Sequence, residues 1–195
     1  MEYYELITII KSSISNNELT VVAISGFCGA GKSTLAGRVS GEFNNAPVVS
    51  IDDFVCQPNG HRSANWAAYD RDAFKEIILR QAKASSCITY MQFKPGVYAS
   101  GNAGVKRTIS IKNLLIVEGV SIFTKELMPF YDISLWIDTS LEQAGEQMTM
   151  RMVSEGKGNL AFVKEVWGPN DRDFYNLHHP DMLSEYIYDG SDIIG

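Results

Sequence analysis

The sequence predicts an α/β fold with a parallel sheet. Three observations carry this. Short apolar runs such as "LTVVAIS" (19–25) and "NLLIVEG" (113–119) alternate with stretches of helical periodicity, as buried parallel strands alternate with crossover helices. A glycine-rich loop joins the first run to a helix. Several apolar runs end in acids, at the sheet edge where open α/β proteins bind ligands.

Each element follows in order. Tyr3, Leu6, Ile7, Ile10 and Ile14 recur at helical spacing and predict an opening amphipathic helix. Leu19–Ser25 is the first strand, and Lys32 to Phe43 reads as helix. "APVVSIDDF" (46–54) is a second short apolar run ending in acids, and "DRDAFKEIILRQAKA" (70–84) is a helix. "CITYMQF" and "VKRTISI" are strand-like, and the glycine-rich link between them predicts a hairpin or flap over about 88–111. "NLLIVEG" and "DISLWID" (132–138) are buried strands. "SLEQAGEQMTMRMVSE" (140–155) is helical and is broken by "GKGN". A last helical stretch falls within Asp171–Glu185, and "YIYDG" closes the sheet. No repeat, low-complexity segment or linker divides the 195 residues, which read as a single domain.

With 45% hydrophobic and 21% charged residues the composition is that of a globular protein, and the net charge of −6 argues against a nucleic-acid or anionic-membrane partner. Cys28, Cys56 and Cys87 are odd in number and form no CxxC, so reduced thiols and a cytoplasmic location are expected. The first residues lack a basic signal-peptide start, and no run is apolar for long enough to span a bilayer. "HHP" (178–180) has no metal-ligand partners at useful spacing, and Met148, Met150 and Met152 read as packing residues.

Gly26-Phe27-Cys28-Gly29-Ala30-Gly31-Lys32-Ser33 fits G-x-x-x-x-G-K-[ST] at every position, with Thr34 following. The glycines let the backbone curl with its N–H groups inward, and the following helix offers free N–H groups and its positive dipole end to a phosphate. Lys32 reaches the β/γ-phosphates and Ser33 presents a hydroxyl to Mg²⁺. The expected ligands are therefore ATP and Mg²⁺. Of the strand-end acids, Asp52 can act on an attacking hydroxyl and Glu118 can hold Mg²⁺, directly or through water. Asp138 fits helix capping as well as catalysis.

"GFCGAGKST", then "SIDDF", "LIVEGV" and "LWIDTS" in this order resemble the uridine kinase and phosphoribulokinase family of P-loop kinases, which includes pantothenate and nicotinamide riboside kinases. The resemblance runs from about Leu19 to Arg151, and the pairing of "SIDDF" with "IVEGV" is its more specific part. It implies the P-loop NTPase fold, a parallel sheet of about five strands flanked by helices, with a hairpin and a mobile helical lid (about 145–165) over the site. It implies Asp52 as the base on the acceptor hydroxyl, Asp53 and Phe54 as pocket residues, and Glu118 near the metal. The sequence departs from the family at three places. In "NWAAYD" the residues Asn65 and Trp66 match the family's Asn-Phe-Asp segment, but Ala67 stands where its ribose-binding acid falls, with Asp70 one turn on. In the lid only Arg151 falls on an expected arginine, with Lys157, Lys164 and Arg172 as further cations. The link "KPGVYASGNAG" lacks the hairpin's basic and histidine residues.

The reading is an ATP- and Mg²⁺-dependent kinase that phosphorylates a hydroxyl of a small molecule. A nucleoside such as uridine leads by resemblance, with Trp66 and Asp70 as further acceptor contacts. Pantothenate-type, nicotinamide riboside-type or sugar-phosphate-type alcohols stay open. So does a nucleotide-binding regulatory module without transfer activity, and the oligomeric state, a homo-oligomer included.

Overall fold

The run Thr20–Ser25 has no polar face to turn to water, and it forms β1, buried along its whole length at the centre of the sheet. The computed structural model describes residues 1–14, 19–56, 64–94, 104–156 and 161–193. Helix α1 (Tyr3–Ile14) precedes β1, and α2 (Lys32–Glu42) follows the glycine loop. The second apolar run is a strand for only three residues, β2 (Val48–Ser50). Its acids sit beyond the strand, on a single 3₁₀ turn, Ile51–Phe54. Helix α3 starts at Arg71–Phe74 and widens into a π-helical segment, Lys75–Arg80.

Strands β3 (Cys87–Gln92) and β4 (Val105–Ser110) pair antiparallel as the expected hairpin, whose link at 95–103 lies outside the described residues. β5 (Leu114–Glu118) and β6 (Ile133–Asp138) are the other long buried strands. Helix α4 (Leu141–Ser154) opens with a capping box between Ser140 and Gln143. The break at 157–160, including Lys157, lies outside the described residues. The last helical stretch begins earlier than its sequence suggests, with a π-helical turn at Val163–Trp167 that runs into α5 (Gly168–His178). Pro180 then restarts the chain as α6 (Pro180–Leu183), and β7 (Tyr186–Asp189) ends the sheet.

The five strands are parallel in the order β2-β5-β1-β6-β7. One apolar layer packs Phe74 and Ile78 of α3 and Ile88 of the hairpin against Ala23, Val117 and Trp136. The other packs Leu6 and Ile10 of α1 and Leu35 and Val39 of α2 against Val22, Ile116 and Leu135. Both outer edges of the sheet are engaged. The Met1 main chain bonds the carbonyl of Ile187 and the amide of Asp189, and Arg107 Nη2 donates to the carbonyl of Val48. Among the described residues no helix is long and apolar enough to cross a membrane.

Candidate active site

Because β1 is central, the loop that follows it lies in the middle of the carboxyl edge of the sheet. The loop takes left-handed backbone at Gly29 (φ 99°) and Gly31 (φ 86°), conformations that a side chain would strain. Gly31 precedes α2 and no side chain caps that helix, so its first N–H groups face the loop. Lys32 is buried, and its Nζ donates to the carbonyl of Phe27 at 2.7 Å. A cavity of about 450 Å³ opens over Gly31, Lys32, Ser33 and Thr34, roofed by Gln147, Met148 and Arg151 of α4. Arg151 of α4 thus lines the cavity over the glycine loop, and its Nε lies 3.8 Å from Glu155. Met148 and Met152 are buried packing residues, whereas Met150 is exposed. Cys28 turns a half-buried thiol among Lys32, Asp52, Arg151 and Asp171, and burial pushes that thiol up to about 12, which leaves it un-ionised and unreactive.

The register of the sheet sets Ser50 of β2 and Ile24 of β1 on either side of Glu118. Glu118 is 5% exposed, and its Oε1 lies 3.3 Å from Ser33 Oγ. Burial raises its pKa, and the Lys32 charge and hydrogen bonds from Ser50 and Ser33 oppose that rise. A serine hydroxyl and a carboxylate oxygen at this separation fit Mg²⁺, which takes few protein oxygens and completes its shell with phosphate and water. Ser50 also accepts from the Asp52 amide at 3.2 Å, which fixes the start of the 3₁₀ turn. On that turn neighbouring residues point a third of a turn apart, so Asp52 is exposed toward the site and Asp53 is turned inward.

The residues expected in the acceptor pocket fare differently. Asp53 accepts from Tyr90 Oη (2.7 Å), Gln92 Nε2 (2.7 Å) and Arg107 Nη1 (2.9 Å), so its carboxylate clamps the hairpin. Phe54 is core, stacked on Tyr90 and edge-on to Phe74. Trp66 is 4% exposed and packs against Val120 and Phe174. On the Ile51–Phe54 turn, Asp52 is exposed while Asp53 and Phe54 are buried. Asp70 caps α3 by accepting from the Ala73 amide, and it lines a second cavity of about 450 Å³ with Ala67, Arg71 and Glu126. Asp138 is exposed at the end of β6, just before the α4 capping box. His61 lies outside the described residues. Arg172 faces a different cavity, beside Phe27 and Tyr175.

Two further residues complete the site. Tyr69 lies beside Asp52, and burial first, then the Asp52 charge, raises its pKa well above that of a free phenol. Asp171, 4% exposed, accepts from the Cys28 amide (2.7 Å) and from Trp66 Nε1 (2.8 Å). Burial pushes its pKa up to about 6 against the opposing pull of Lys32 and of both donors. Tyr69 adjoins the "NWAA" segment and was within reach of motif reading; Asp171, in "GPNDRDF", carries no local signal of its role.

No protein-family model matches the chain, and no curated protein matches it in sequence. Solved structures do. A possible uridine kinase from Bacillus stearothermophilus is 18% identical with a TM-score of 0.70, covering 95% of this chain and 96% of that one. A candidate fructose transport system kinase from a Silicibacter species is 17% identical with a TM-score of 0.74, over 94% and 97% of the two chains. Phosphoribulokinase from Rhodobacter spheroides is 12% identical with a TM-score of 0.58, over 92% and 75%. The fold is that of the P-loop kinases.

Proposed function

We propose that the protein is an ATP- and Mg²⁺-dependent kinase that transfers the γ-phosphoryl group to a hydroxyl of a small molecule. One observation carries this reading: Lys32, Ser33, Glu118 and Asp52, drawn from three different strand ends, meet at one sheet edge beneath Arg151. The loop amides and Lys32 hold the phosphates, and Ser33 and Glu118 hold the cation, which when bound shields phosphate charge. Asp52, whose amide is held by the Ser50 hydroxyl beside Tyr69, aligns the acceptor hydroxyl and takes its proton. Arg151 offsets charge on the transferred group from the lid side; arginines in this role are worth ~10³-fold or more. Catalysis of this kind rests on positioning and charge compensation.

A nucleoside such as uridine is the first acceptor to test, on the motif resemblance. With Ala67 in place of the ribose-binding acid and Trp66 buried, other alcohols of the pantothenate, nicotinamide riboside or sugar-phosphate type belong in the same panel. The test is ADP release with ATP and Mg²⁺ across that panel, wild type beside Asp52→Asn. Acceptor-dependent turnover that drops by ~10²–10⁴ in Asp52→Asn, with nucleotide affinity kept, is the expected result. Turnover equal in both proteins removes Asp52 as the base. Nucleotide binding without acceptor-dependent turnover identifies a regulatory module instead.

A further inference from the structure

The search for a role beyond the transfer machinery leads to a buried group that it leaves unused. Asp171 lies on α5 one turn beyond the π-helical segment Val163–Trp167, inside a continuous helix, so no free helix end accounts for its buried carboxylate. Its two oxygens are both spent outside that helix. One accepts the N–H of Cys28 in the glycine loop, and the other accepts the indole N–H of Trp66, at 2.7 and 2.8 Å. These are short, charge-assisted bonds in a dry surround, the strongest kind available to a neutral donor.

The Cys28 N–H shares its peptide plane with the Phe27 carbonyl, and that carbonyl accepts from Lys32 Nζ at 2.7 Å. One peptide group is therefore gripped at both ends, by an ammonium on the oxygen and a carboxylate on the nitrogen. Each grip polarises the amide and strengthens the other. At the far end of the chain of contacts, Ala64, Asn65 and Trp66 all hold left-handed backbone, with φ of 37°, 51° and 56°. Such a turn costs about 1–2 kcal/mol per residue and persists only when its surroundings over-determine it. Arg71 Nη1 bonds the carbonyls of Asn65 and Trp66, and Asp171 holds the indole. Trp66 in turn sets Tyr69, through a 3.1 Å backbone bond and a ring contact at 5.5 Å, and Tyr69 is the phenol whose titration the neighbouring Asp52 charge shifts.

We propose that Asp171 is a positioning residue that couples occupancy of the phosphate cradle to the turn that orients Asp52. The coupling rests on the cradle binding nucleotide phosphates, as in the function proposed above. An anion in the cradle draws the Lys32 ammonium from the Phe27 carbonyl. The Cys28 amide is then less polarised, its bond to Asp171 weakens, and the carboxylate shifts its hold onto the Trp66 indole. A filled cradle thus tightens the acceptor side before an acceptor arrives.

Trp66 reports this directly, because an indole N–H bound to a carboxylate is sensitive to the strength of that bond. ADP and ATP with Mg²⁺ are titrated into the full chain, with binding heat and tryptophan emission followed side by side. The expected result is a saturable emission change that parallels the heat, disappears in Trp66→Phe and falls by at least half in Asp171→Asn. In Trp66→Phe the nucleotide Kd stays within about threefold of wild type, since that variant removes only the indole end (a threefold change is about 0.7 kcal/mol). Heat of binding with no Trp66-dependent emission change overturns the coupling and leaves the kinase reading standing. No heat at all overturns both. Should Asp171→Asn fail to fold, the Trp66→Phe comparison alone decides the matter.

Discussion

At the scale of single residues, space around the loop is the tightest constraint. A Cβ on Gly29 would lie 2.1 Å from the carbonyl oxygen of Ala144 in α4, with φ at 99°. Neither backbone segment can retreat without unseating the lid helix. Gly29→Ala should therefore cost about 2 kcal/mol or more in strain and contact and weaken nucleotide binding at least tenfold, as thermal unfolding and calorimetric titration will report. That Lys32, Ser33, Glu118 and Asp52 would come together at one sheet edge was legible from motif spacing and from the strand-end positions of the two acids. Asp53, Phe54 and Trp66, expected at the acceptor, are buried and engaged by protein partners. Which side a residue takes on one 3₁₀ turn is decided by what packs beneath it, here Tyr90, Gln92 and Arg107 from a hairpin far along the chain. Asp171 was invisible for the same reason, since its partners lie more than a hundred residues away.

At the scale of elements, the hairpin is held by apolar packing and by a polar clamp in which Arg107 takes the largest share. Arg107 bonds Asp53, the Tyr90 hydroxyl and the Val48 carbonyl, beside the bonds of Tyr90 and Gln92 to Asp53 and the burial of Ile88 and Ile109. Arg107→Ala leaves Asp53 buried with Tyr90 and Gln92 as its remaining donors. The expected cost is about 2–3 kcal/mol, with the hairpin cut by protease well before the rest of the chain; a time course of limited proteolysis reads this. Strands β1, β5 and β6 were plain from their apolar runs, and the hairpin from its two β-rich segments around a glycine-rich link. The π-helical segments Lys75–Arg80 and Val163–Trp167 were not, because a widened turn keeps the composition of an α-helix and differs only in which residues face inward.

At the scale of the whole molecule, buried carboxyls shape the response to pH. Asp171 has its pKa pushed up to about 6, from 3.8 when unfolded, and burial raises Glu118 as well. Between these limits the native state holds protons that the unfolded chain has released. The Asp171 contribution therefore favours folding fully below about pH 4 and fades as pH rises toward 6. Removing it in Asp171→Asn should flatten the fall in stability between pH 4 and 6.5 by on the order of 3 kcal/mol, measured as the difference between wild-type and variant denaturant curves. The alternation of strands and helices was enough to foresee a parallel α/β sheet. Its order, β2-β5-β1-β6-β7, was not readable, because sequence separation does not say which strands become neighbours.

The blocked edges of that sheet have a consequence for life at high concentration. An open strand edge is a template on which another chain can add itself. On one side that template is taken up by the backbone of Met1, and on the other by a guanidinium laid across a strand only three residues long. The same contacts that finish the fold thus occupy part of each outer strand, so less of either edge is left to accept another chain.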